Sequence, residues 1–198
     1  MPLTLPDGVV PNSAEAFLVD FGGVMRPFLG GPAQQINRMG MRLGVRFTVP
    51  PTVYADKGMA LVSRLMRAKS DRLLVEWYQP GFEPGAVGAP LVAAAVSGGT
   101  TLAIKGMLPD TAVREGQFLS AVRGSRYLHS FSADGVADGA GNLTASIWPP
   151  IRELFLVNDP IEIPVPQIEG HVLPGEELSW RLSVERLLDV SFSVVESK

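Results

Sequence analysis

The chain has 198 residues, 46% of them hydrophobic, and a formal charge of −3, enough for one ordinary domain or two small ones with a real core. It holds no cysteine, which excludes disulfides, thiolate zinc sites and a cysteine nucleophile. Its two histidines, His129 and His171, stand in neither HxxxH nor HExxH spacing, so no metal centre is expected.

No run approaches the roughly 20 consecutive apolar residues that cross a bilayer, so no membrane insertion is expected. Residues 1–10, MPLTLPDGVV, have neither a basic start nor a continuous apolar stretch, and a cytoplasmic origin follows. With 21 Gly and 17 Pro, turns are frequent and many short strands are favoured over long helices.

In chain order, Phe17, Val19 and Phe21 alternate with Leu18 and Asp20 before a turn at Gly22-Gly23, and a short strand is expected through Gln34, Ile36 and Arg38. Met41, Leu43, Val45, Phe47 and Val49 then face one side of a strand whose other side is Arg42, Gly44, Arg46 and Thr48. Pro50-Pro51 is expected to stop it, with Thr52 as N-cap of a helix over 53–69. In that helix Gly58, Leu61, Val62, Leu65 and Met66 form the apolar stripe, and Lys57, Arg64 and Arg67 reach outward. Residues 73–78, LLVEWY, read as a returning strand with Trp77 and Tyr78 packed in the core.

Residues 81–90, rich in Gly and Pro, read as a linker into a second, smaller β unit over 91–166. Short strands are expected at 101–105, 117–122, 127–131 and 143–148, and residues 138–142, DGAGN, suit a hairpin connector. A proline-bounded edge strand follows at 160–166. The last strand alternates Leu188, Val190, Phe192 and Val194 with Asp189, Ser191 and Ser193 and needs a partner sheet. Pairing it with the first eighty residues makes the middle unit an insertion. The fold class is thus mainly β: an antiparallel sandwich or split barrel (1–80 and 167–198) with one flanking α-helix, plus a small inserted β-barrel or sandwich.

Charge is segregated. Residues 38–72 carry eight bases against two acids, whereas 151–198 carry nine acids against four bases. Such asymmetry serves intramolecular pairing, subunit contact or nucleic acid. Only Phe47 and Tyr54 interleave the basic stretch, so no specific nucleic-acid partner is expected.

A search for chemistry returns little. Asp134 and Asp138 share a Gly-rich loop, but DGVADGAGN has Val136 in place of a ligand oxygen and no closing glutamate, so it reads as a turn and not a calcium loop. Ala95-Val96-Ser97-Gly98-Gly99 lacks the first glycine of a nucleophile elbow, Gly124-Ser125-Arg126-Tyr127 lacks the second, and there is no Walker sequence or GxGxxG. No catalytic residue and no cofactor is assigned, and an enzyme is not expected.

The stretch 133–163, ADGVADGAGNLTASIWPPIRELFLVNDPIEI, resembles a pattern of small tail proteins of long-tailed phages and prophages: a D-G-x-G-N turn, an alternating strand, P-P-[LI]-R and an acidic-to-apolar strand. Residues 99–122, 41–69 and 179–197 are similar to other parts of that distal tail protein family, and 138–152 is the most specific part. The resemblance implies a virion protein of the tail tip, made in the host cytoplasm. It would form a ring, commonly a homohexamer, between the tail tube protein and the hub proteins. Arg42, Arg46, Arg64 and Arg67 are the candidate subunit-interface residues, able to meet the acidic C-terminal region of a neighbour. The alternative is a carbohydrate- or receptor-binding β module, which would want exposed aromatics grouped on loops, with Trp77, Tyr78 and Phe82 as candidates.

Overall fold

The computed structural model describes residues 2–36, 38, 40–81, 85–173 and 177–197. Strands β1 (Leu3–Thr4), β2 (Ser13–Val19), β3 (Gly23–Met25) and β4 (Gln34–Ile36) lead into β5 (Arg42–Val53). A π-helical turn (Tyr54–Gly58) runs into α1 (Met59–Arg67), and β6 (Leu73–Glu76) follows. The middle of the chain forms β7 (Gly88–Val92), β8 (Thr101–Met107), β9 (Ala112–Val113), β10 (Phe118–Arg123), β11 (Ser125–Phe131), β12 (Gly135–Val136), β13 (Leu143–Trp148) and β14 (Ile161–Glu162). Strands β15 (Gln167–Val172), β16 (Trp180–Leu182) and β17 (Leu187–Glu196) close it.

The first and last parts of the chain share one sheet, ordered β1-β6-β15-β17-β5-β2, with β16 also on β17. The chain leaves this sheet after β6 and returns at β15. The closing strand pairs with β5 from Leu187 opposite Val53 to Val195 opposite Gly44, the partnership that its alternation called for. The middle strands form a second sheet, β14-β10-β11-β13-β8-β7. Leu91 bridges Pro160, and the Val92 N–H donates to the Asp159 carbonyl at 2.9 Å, so β7 curls back beside β14 and the sheet is a nearly closed barrel. The fold is mainly β, with one α-helix among the described residues, the class expected from the strand periodicity. The linker segment is in part a strand, since β7 begins at Gly88; residues 82–84 lie outside the described residues.

Alternation on β5 is realised from Leu43 onward, whereas Met41 precedes the strand and is only half-buried. Leu43, Val45, Phe47 and Val49 are buried with Leu61, Val62 and Leu65 of α1 and with Val190, Phe192 and Val194 of β17. The double proline does not end the strand, however. Val190 pairs with Val49 and Leu188 with Thr52, so Pro50 and Pro51 together oppose Asp189 at a bulge. On the other side β2 reaches only Thr48, so no neighbour asks the prolines for a donor. Thr52 is therefore a strand residue and caps nothing. Its hydroxyl donates to the Pro50 carbonyl at 2.8 Å, and α1 begins at Met59 after the π turn rather than at 53.

Two buried carboxylates join the sheets. Glu196, at the end of β17, accepts a 2.6 Å hydrogen bond from the Leu128 N–H of β11 and pairs with Arg152. Both side chains are buried, at 1% and 8% exposure. Arg152 also sits over the Tyr127 ring, 5.8 Å from its centroid. Glu169 of β15 accepts from the Arg126 N–H at 3.2 Å and stands 2.9 Å from the Arg72 guanidinium, while Arg126 forks onto Glu162 at 3.2 and 3.3 Å. Beside them, the Ser120 hydroxyl accepts from the Gln167 N–H and donates to its carbonyl, at 2.5 and 2.8 Å. The Gln79 amide likewise accepts from the Phe118 N–H at 2.7 Å and donates to its carbonyl at 3.4 Å. Removing one partner of such a buried pair leaves an uncompensated charge and costs about 3–5 kcal/mol.

The segment 134–152 is architectural. Asp138 accepts from the Ala140 and Asn142 N–H groups at 2.9 and 2.8 Å, and the hydrogen bonds from Asn142 lower its pKa. The turn is not a hairpin connector, because β12 before it pairs with β9 while β13 after it pairs with β8 and β11. Gly141 has φ +77°, and a Cβ there would overlap the Met107 carbonyl. Arg152, which ends the segment, is the partner of Glu196.

Burial pushes the Glu196 carboxyl up from 4.5 to about 7, against the opposing pull of Arg152. The folded state then binds more proton than the unfolded state between those values. This group's contribution is full below about pH 4.5 and is lost as pH rises to about 7. Urea titrations across that window are expected to show the stability of wild type falling relative to Glu196→Gln, with a constant difference above it. In the same assay Gly141→Ala is expected to cost more than about 1 kcal/mol. Gly139→Ala, where an added Cβ meets nothing within 4 Å, leaves stability within about 0.5 kcal/mol.

Candidate assembly surface

The four candidate arginines fall into two groups. Arg42 and Arg46 lie on the face of β5 opposite its core side chains. Arg46 makes an exposed pair with Glu15 of β2 at 3.5 Å, and the Arg42 guanidinium stands 5.8 Å from the centre of the Phe21 ring. Between them Phe17 covers Gly44, where any Cβ would overlap the ring, so a glycine is required for β2 to bring that aromatic onto the sheet.

Arg64 and Arg67 ride on α1, whose Leu61, Val62 and Leu65 pack on the core side of the same sheet. Arg64 donates to the Thr4 and Leu5 carbonyls at 2.9 Å each, which ties down the N-terminal segment. Arg67 pairs with Asp71 one helical turn on, at 3.3 Å. The sheet thus separates the two pairs of arginines. Part of the charge asymmetry is met inside the chain, through Arg72 and Glu169.

The most exposed apolar surface lies elsewhere. Gly22-Gly23 is not the turn. The chain runs on through β3, turns at 27–30 where the Gly30 N–H donates to the Pro27 carbonyl at 3.3 Å, and returns as β4. The resulting arm buries neither face. Val24 and Met25 are exposed along it, and at its tip Phe28 and Leu29 are 102% and 94% exposed. Sequence reasoning missed these residues, although Phe28-Leu29 between Pro27 and Gly30-Gly31 is itself a turn signal.

A second feature is a cleft of about 800 Å³ at the other end of β2, where Ser13 and Ala14 help line it. Leu5, Val9, Val10, Trp77 and Tyr78 supply its apolar walls, and Asp7 and Glu76 are its acidic residues. Tyr78 is not a core residue: it is 77% exposed. Trp77 is half-buried, as expected, with its ring 5.0 Å from Phe118. Phe82, the third candidate aromatic, lies outside the described residues.

The residues weighed for chemistry are held by structural partners. Asp134 accepts the Glu115 N–H at 2.8 Å, and His129 is buried with Nδ1 2.8 Å from the Pro149 carbonyl. Burial lowers the His129 pKa to about 4. His171 Nδ1 lies 3.2 Å from the Asp71 carbonyl. Ser97 follows Val96, which bridges Phe155, and no helix follows it as an elbow would require. Among the described residues no group of three or more His, Asp or Glu could hold a metal ion, and no helix is long and apolar enough to cross a membrane.

No family model and no curated protein matches the chain.

The Arg46–Glu15 pair is exposed on both sides, so reversing Arg46→Glu is expected to cost the folded monomer no more than about 1 kcal/mol, read by chemical denaturation.

Proposed function

We propose that this chain is a non-enzymatic structural protein of a phage tail tip, one that self-associates into a ring, as a hexamer, between the tail tube and the hub proteins. The observation that carries the self-association is the arm. A β-hairpin with apolar residues along its length and a tip exposed to solvent is a contact element without its contact. The resemblance of 138–152 to tail proteins supplies the biological setting. A sheet edge offered by β2, which among the described residues pairs with β5 alone, is a further surface through which copies can meet.

The alternative, a carbohydrate- or receptor-binding module, draws on Tyr78 in the acidic cleft. It is the weaker reading, because the neighbouring Trp77 is packed on Phe118 and its indole N–H is buried, leaving Tyr78 as the aromatic platform of the cleft among the described residues.

Light scattering and negative-stain imaging of the purified chain test the proposal. A closed ring with a lumen is expected, and a monomer at all concentrations counts against it. Substituting Arg42→Glu and Arg46→Glu together is expected to weaken self-association while circular dichroism shows the monomer folded. Unchanged assembly would remove these arginines from the interface.

A further inference from the structure

We propose that the tip of the 21–36 arm of one copy seats in the cleft beside Trp77 and Tyr78 of the next copy, making a head-to-tail contact. The inference rests on the self-association proposed above and names the two surfaces that make it.

Chain geometry rules out the simplest alternative, an arm filling its own cleft. The arm departs from Val19, whereas the cleft is built around Ser13 and Ala14, at the opposite end of the same strand. Seven residues of extended strand separate those ends by about 20 Å. None of residues 15–46 lines the cleft.

Chemical match points the same way. The tip offers Phe28 and Leu29, two large apolar side chains with essentially their whole surface in water. The cleft offers Leu5, Val9, Val10 and Tyr78, and Val10 is itself exposed. An aromatic anchor in an apolar pocket is the arrangement in which a few residues dominate association. Charge is complementary as well. Arg26, just before the tip, is exposed and makes no ion pair among the described residues. Asp7 and Glu76 in the cleft are also exposed and unpaired among them. A guanidinium brought in beside these two carboxylates sets the direction and register of docking.

The contact is heterologous, because arm and cleft are different surfaces of each copy. After the first contact the pair therefore keeps one free arm, on one copy, and one free cleft, on the other, and assembly continues until rotation closes a ring.

The test uses two full-length variants. Phe28→Asp with Leu29→Asp removes the arm, and Val10→Asp with Tyr78→Asp removes the cleft; all four positions are exposed, and thermal melts check folding. In analytical ultracentrifugation, wild type is expected to form oligomers, and each variant to associate about 30-fold more weakly or worse. Mixed, the two variants are expected to form a heterodimer and nothing larger, because the mixture holds one intact arm–cleft pair. Since the chain has no cysteine, Leu29→Cys in one copy and Val10→Cys in another should also yield a single linked dimer under mild oxidation. Either variant assembling like wild type, or a mixture that stays monomeric, overturns the arm and cleft while leaving ring formation standing. A monomeric wild type overturns both. A glycan-array response lost on the Tyr78 substitution would assign the cleft to carbohydrate and overturn the docking.

Discussion

The structure depends on two carboxylates taken out of water at the junction of its sheets. Glu196 and Glu169 belong to adjacent strands of the first sheet, and each reaches the second sheet at β11, one at the Leu128 N–H and the other at the Arg126 N–H. An unpartnered buried charge is costly, so neither sheet can move away from the other without stranding an acid or an arginine. The hydroxyl of Ser120 and the amide of Gln79 add backbone contacts along the same seam. Leu128 of β11 is part of the first core while Tyr127 and Phe131 of the same strand belong to the second. One strand thus serves both cores, and the ion pairs pin it in place.

This junction gives the segment 134–152 a physical meaning. Its turn is closed by Asp138, its tight backbone approach requires Gly141, and its final arginine crosses to the last strand of the chain. Residues that looked like a possible ligand loop are used to place Arg152 against Glu196, 44 positions away. In this chain the segment joins two sheets, and chemistry is not needed to explain its residues.

What could be read from the chain follows from where information is local. The alternation on β5 and β17 was legible because each strand buries one face, and a buried face writes a period of two. The arm is not, because β3 and β4 bury nothing and leave no period, so the sequence alone points to Gly22-Gly23 as the turn. The double proline misled for a related reason. Whether a missing N–H matters depends on how far the neighbouring strand extends, and β2 happens to stop at Thr48. Of the site, Arg42 and Arg46 were placed on a common face correctly by alternation. Arg64 reads as an outward cation on a helix, and only the fold shows that Thr4 and Leu5 claim it. Burial of Glu196 was invisible, since a lone acid near a strand end defaults to solvent.

The prolines of β5 also act as a ruler. Beyond Thr48 they take amide donors out of β5, so the stretch of its flank that β2 leaves uncovered is a poor template for a further strand. A foreign strand can pair with the outer edge of β2 over its seven residues but gains little by continuing onto β5 past Thr48. Any chain that joins the sheet here is limited in length and held to one end, so lateral stacking of copies into an unbounded ribbon is disfavoured at the level of the backbone.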